Sequence, residues 1–96
     1  MYVGVYRVEL HLPAGRSLKD KRSVVQRLRS RLGRLNLSVA EIEDQDLWQS
    51  CVLGVSAVSS DPGYLDNLAG TIESVCLKDP RAQLLRVRPD VFPVEP

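Results

Sequence analysis

Three features of this 96-residue chain predict an α+β sandwich of element order β-α-β-β-α-β. Stretches rich in Val, Leu and Tyr alternate with period two near both ends and in the middle. Two intervening stretches carry apolar residues at helical spacing, each opened by a Ser or Asp suited to capping. The two middle strands are separated by only a few polar residues, as an antiparallel hairpin requires. That order is the ferredoxin-like split βαβ sandwich, a four-stranded antiparallel sheet with its first and third strands central and both helices on one face. The length suits one domain with a single hydrophobic core. Within it we place a core over residues 1–89 and a proline-rich tail over residues 90–96.

Tyr2 to Leu12 reads as the first strand. Gly4, Tyr6, Val8, Leu10 and Leu12 take its core face; Val3, Val5, Arg7, Glu9 and His11 take the other, which turns from apolar to charged. Pro13–Ala14–Gly15 breaks the strand and Ser17 caps a helix, with Asp20 standing where a capping box has Glu or Gln. Leu18, Val25, Leu28 and Leu32 form its apolar stripe, with Val24 on the margin. Gly33 suits the left-handed position after the helix, with Leu35 folding back over the last turn. Asn36 to Glu43 is the second strand, Leu37 and Val39 on one face and Ala40 and Ile42 on the other. After the turn Asp44–Leu47, Trp48 to Ser59 is the third strand, with Cys51, Leu53, Val55 and Ala57 on its core face. Asp61–Pro62 opens the second helix, whose stripe is Leu65, Leu68, Ala69, Ile72, Val75 and Cys76, and Asp79–Pro80 ends it. Leu84 to Arg88 is a short last strand in which Leu85 and Val87 alternate with Arg86 and Arg88.

Composition narrows the class. The 44% hydrophobic and 26% charged content is that of an ordinary globular protein, and no apolar run is long enough for a transmembrane helix. The strand-like N-terminus lacks the basic region of a secretory signal. Cys51 and Cys76 stand alone, which predicts buried, reduced thiols and a cytoplasmic setting. Nothing supplies the three or four clustered ligands of a metal site, and no cofactor motif is present.

The net charge of +1 conceals an asymmetry. Between Arg16 and Arg34 lie eight basic residues and one acidic residue, net +7, leaving five basic against eleven acidic elsewhere, net −6. Several of these cations crowd the N-terminal end of the first helix, where the macrodipole disfavours them by a few tenths to about 1 kcal/mol each. Either internal carboxylates or an anionic partner must compensate. Lys21 falls in the middle of the apolar stripe, so its counter-charge has to be nearby; Asp44 and Asp46, in the turn at the same end of the sheet, are the expected partners. Arg16, Lys19, Arg22, Arg27, Arg29, Arg31 and Arg34 are the candidate contact surface for the phosphates of structured RNA or of a ribosomal particle. Trp48 is a candidate stacking or interface residue, and His11 a polar surface or interface residue beside it. An alternative is self-association through the open sheet face, where Val3, Val5, Val52 and Val58 form an apolar patch.

Val3–Gly4–Val5, Glu9–Leu10–His11–Leu12–Pro13, Ser17–Leu18–Lys19–Asp20–Lys21–Arg22 and Gln45–Asp46–Leu47–Trp48–Gln49 together resemble the YlxP-like family of small bacterial proteins, a domain of unknown function. The resemblance runs in order to about Leu85, with Asp20 standing where Glu is more usual. It implies a ferredoxin-like fold and genes neighbouring those of transcription-elongation, translation-initiation and ribosome-maturation factors. It brings no catalytic residue, so the expectation is a protein that is not an enzyme. A remote alternative is an acylphosphatase-like enzyme, the topology being shared, in which Arg16 and Asn36 would serve as the anion-binding pair; the glycine-rich loop of such enzymes is absent.

Overall fold

The period-two alternation of the first strand is realised in full by the computed structural model, which describes residues 1–95. Six elements follow in the expected order: β1 (Tyr2–His11), α1 (Leu18–Gly33), β2 (Ser38–Glu43), β3 (Ser50–Ser59), α2 (Pro62–Leu77) and β4 (Gln83–Pro93). The strands form one antiparallel sheet in the order β2-β3-β1-β4, so β1 and β3 are central. Tyr6, Val8 and Leu10 of β1, with Leu12 just beyond it, meet Cys51, Leu53 and Val55 of β3 on the helix-covered face. Val24, Val25, Leu28 and Leu32 of α1 and Leu65, Leu68, Ile72 and Cys76 of α2 close over them. Each such side chain contributes about 1.5–3 kcal/mol by leaving water.

Local chemistry sets the helix ends. The Ser17 hydroxyl accepts from the Asp20 backbone N–H at 3.1 Å, and the Asp20 carboxylate accepts in turn from the Arg16 N–H at 3.2 Å. That is a capping arrangement reaching one residue further back than the usual box. At α2, the Asp61 carboxylate accepts from the Gly63 N–H at 2.9 Å, with Pro62 in the first turn. Tyr6 ties α2 to the sheet by donating its hydroxyl to the Leu65 carbonyl. Its ring passes so close to Gly4 that a β-carbon there would fall 2.9 Å from Tyr6 Cζ, which is why this strand position has no side chain.

The last strand departs from expectation in three ways. It runs through Pro93, so Asp90–Pro93 belongs to the sheet and is not part of a tail; Pro96 lies outside the described residues. Pairing with β1 continues to Tyr2 opposite Pro93, because Val91 supplies another inward-facing apolar residue. A bulge then breaks the alternation: Arg86 pairs with Glu9 while Leu84 pairs with Leu10, leaving Leu85 as the extra residue. Leu84, Val87 and Val91 therefore pack on the core, and Leu85 is exposed. Pro89 and Pro93, four residues apart, turn their missing N–H groups to the same lateral side, the outer rim of the sheet.

The end of α1 also differs. Gly33 is its last helical residue and is not left-handed; the left-handed residue is Asn36, with φ 63°. Two short turns intervene, Leu35 N–H to Leu32 O and Asn36 N–H to Gly33 O, both 3.0 Å. Asn tolerates that conformation better than most residues. In β2 a second bulge places Glu41 opposite Leu53 and Glu43 opposite Val52, with Ile42 as the extra residue. Ile42 lies over Gly54, its Cγ2 3.0 Å from where a β-carbon would stand.

Candidate nucleic-acid interface

Lys21 is 2% exposed, and its ammonium must find partners inside the fold. It points past the sheet end. The Glu41 carboxylate lies 2.7 Å from Nζ, and Nζ donates to the Leu47 carbonyl at 2.8 Å and to the Asp44 carbonyl. Lys21 is thus held by the β2–β3 turn, as its place in the apolar stripe demands, but the counter-charge is Glu41. Asp44 contributes only its backbone oxygen, its carboxylate accepting from Ser50 Oγ at 2.7 Å. Asp46 enters no ion pair among the described residues. Glu41 could have been found in the sequence as a carboxylate sharing the Val39 face of β2, in line with the core.

A second buried charge divides the cations of α1. Asp79, after the end of α2, is 1% exposed. Arg27 grips it with Nε to Oδ2 and Nη2 to Oδ1, both 3.2 Å; the Arg81 N–H donates to Oδ1 at 3.0 Å, and Arg31 Nη1 stands 3.9 Å from Oδ2. Arg27 and Arg31 therefore lean toward α2 and serve the fold. Of the seven candidate contact residues this leaves Arg16, Lys19, Arg22, Arg29 and Arg34 exposed and in no ion pair among the described residues. Asp79 was hidden by a separation of 52 residues from Arg27.

The chain around Trp48 is bound on both sides. Leu12 N–H donates to Gln49 O at 2.9 Å, and Gln49 Nε2 donates to the carbonyls of Pro13 and Gly15 at 3.2 and 3.3 Å. Gly15 approaches the Trp48 carbonyl so closely that a β-carbon would stand 2.6 Å from its oxygen. His11 Nδ1 lies 3.0 Å from Gln49 O. The end of β1, the start of α1 and the β2–β3 turn are thus joined at one end of the sheet, as the topology predicts. Trp48 itself remains 52% exposed. Arg16 and Asn36 flank α1 at opposite ends, about 24 Å apart along a helix of 16 residues, so they do not form the anion-binding pair of the acylphosphatase alternative.

On the open face the apolar patch changes membership. Phe92, Val3 and Val58 line up across β4, β1 and β3, with Val5 next along β1. Val52 does not belong to it: at 4% exposure it is covered, lying in register between Glu9 and Glu43. Its two neighbours in register are each held in an ion pair, Glu43 with Arg7 and Glu9 with Arg86 at 2.7 Å. Cys51 and Cys76 are free and buried. Burial, reinforced for Cys51 by Glu41 and for Cys76 by Asp79, pushes the two thiols up to about 12 and about 11, so neither is a nucleophile at neutral pH. Among the described residues no group of three His, Cys, Asp or Glu is placed to hold a metal ion, and no helix is long and apolar enough to cross a membrane.

Two measurements check these charges. Lys21→Met leaves the Glu41 carboxylate without its cation, and urea unfolding should show a loss of about 3–5 kcal/mol, with Lys21→Met/Glu41→Met recovering part of it; a loss below about 1 kcal/mol would contradict the latch. Asp79 is subject to opposing effects: burial raises its pKa, but the bonds from Arg27 and the Arg81 N–H, with the charges of Arg27 and Arg31, outweigh burial and hold it below the ordinary 3.8. A carboxyl lowered on folding stabilises the fold above its ordinary value and loses that contribution as pH falls through the lowered one. Asp79→Asn should therefore be less stable at neutral pH and show a flatter decline in stability below pH 3.8; a parallel decline in both proteins would refute the assignment.

Comparison with known proteins places this geometry in a family. Residues 3–89 match the family described as "Protein of unknown function (DUF503)". The uncharacterized protein YlxP of Bacillus subtilis (strain 168) is 47% identical over 45 residues, which are 46% of this chain and 49% of that protein. The matched segment thus spans about half the length of that relative. With nearly all of its folded core inside the family match, the chain belongs to the DUF503 family.

Proposed function

We propose that this protein is a non-enzymatic cytoplasmic accessory factor that binds structured RNA, free or within a ribosomal particle, through one flank of α1. One observation carries the reading: Lys19, Arg22 and Arg29 share an exposed stripe, with Arg16 and Arg34 at its ends, and none of the five has an internal counter-charge among the described residues. At about 100° per residue the three central cations fall within an arc of about 80° on the side of the helix away from Asp79, spaced over about 15 Å of helix axis. That length covers several nucleotide rises along a strand. The fold has already neutralised Lys21, Arg27 and Arg31, so the remaining cations near the helix start are the ones whose cost against the macrodipole an external polyanion removes. Four of the five are arginines, whose planar fork suits phosphate oxygens.

Filter binding to structured ribosomal RNA over a range of salt concentrations tests this. Affinity should fall steeply with salt, and Lys19→Glu/Arg22→Glu/Arg29→Glu should flatten the log–log slope by about 2–3. Absence of binding at low salt, or binding unaltered in the triple variant, would sink the proposal.

The row Phe92–Val3–Val58, exposed at Phe92 and Val58, favours a second reading, in which a second copy of the chain covers the open sheet face. Sedimentation velocity across a concentration series should then show a dimer that Val58→Lys dissociates; a monomer at every concentration would exclude it.

A further inference from the structure

Beside the β2–β3 turn lies a hollow of about 510 Å³ walled by His11, Asp46, Leu47, Trp48, Gln49 and Ser50. It is an open depression and not an enclosed pocket, a shape that leaves a flat ring accessible for stacking. Two walls are planar rings, an indole and an imidazole, and a third is Leu47, which is 52% exposed like Trp48. A large aromatic left half in water on a loose loop would be unremarkable. Here the backbone on both sides is fixed: Lys21 Nζ holds the Leu47 carbonyl at 2.8 Å, and the Gln49 amide is clamped to Pro13 and Gly15. The ring is therefore presented by a rigid frame, which removes the ordering cost a ligand would otherwise meet.

We infer that this hollow takes one unpaired nucleobase bearing an exocyclic amine, stacked on Trp48, from the RNA whose phosphates run along α1. The inference rests on the RNA-binding reading and names what that RNA must contain. Three observations converge. An exposed indole accepts any base by its π-face. The donor atoms of the other polar side chains of the hollow are taken, Gln49 Nε2 by the Pro13 and Gly15 carbonyls and Ser50 Oγ by the Asp44 carboxylate, and His11 Nδ1 faces the Gln49 carbonyl. Asp46 enters no ion pair among the described residues, and its carboxylate only accepts, so it repels a phosphate and favours a base edge with an amino donor. Adenine, cytosine and guanine offer that donor, whereas uracil presents carbonyl oxygens at the corresponding positions. The backbone also links the site to the first of the exposed cations, since Gly15, packed on the Trp48 carbonyl, is followed by Arg16.

Trp48 is the single tryptophan of the chain, so its fluorescence reports on this site alone. The experiment titrates the protein with RNA hairpins of equal charge carrying adenine, cytosine or uracil loops, and with an uninterrupted duplex. Adenine and cytosine loops should quench the emission and bind about 5- to 150-fold more tightly to wild type than to Trp48→Ala, with Trp48→Phe retaining most of the affinity. Uracil loops should bind more weakly, Asp46→Asn should narrow the gap between adenine and uracil, and the duplex should bind without quenching. If hairpins bind, the triple α1 variant abolishes binding and Trp48 emission stays unchanged, the stacking inference falls while the RNA reading stands. If no RNA binds at low salt, both fall.

Discussion

The buried ammonium of Lys21 is the constraint on which one end of this molecule depends. Without Glu41 and the carbonyls of Asp44 and Leu47, a cation in the apolar stripe of α1 would be incompatible with the core. With them, α1 is fixed near its start to the β2–β3 turn, and the loop Pro13–Gly15 is pressed onto the Trp48 backbone. Lys21 and the Gln49 amide together hold the β2–β3 turn against the start of α1 and the loop that precedes it.

Asp79 performs the complementary task along the other flank. By holding Arg27 and drawing in Arg31, it neutralises the side of α1 that faces α2. Of the remaining cations within α1, Lys19, Arg22 and Arg29 lie on the outward flank, so the uniform cationic helix suggested by composition is in fact two-sided. Buried acid and exposed base divide the element into a part that serves packing and a part open to a partner.

How much of this was legible in the residues follows from the range of each interaction. The elements, the sheet order and the core faces of β1, β3 and both helices rest on local periodicity and capping, and these were readable. The need of Lys21 for a partner was readable too, since it violates the stripe of its own helix. The identity of that partner was marked only by Glu41 sharing the Val39 face of β2, because a strand bulge and turn geometry decide whether Glu41 or Asp44 reaches Nζ. Likewise, the bulge beside Glu9 exchanged Leu85 for Leu84 on the core, which no alternation rule anticipates. The Arg27–Asp79 contact joins elements 52 positions apart and leaves no local trace. The family resemblance, drawn on four fragments, holds over residues 3–89 and brings no assigned activity with it.

The two prolines of β4 have a consequence for how this sheet behaves among copies of itself. An edge strand eleven residues long would ordinarily template the addition of a further strand, the first step of β-aggregation. Pro89 and Pro93 remove donors from that rim at two points, so an incoming strand cannot complete a ladder along it. The opposite edge, β2, has six residues and is interrupted by the bulge at Ile42. Both rims are therefore poor templates, and strand-by-strand polymerisation of the folded chain is blocked at either side of the sheet.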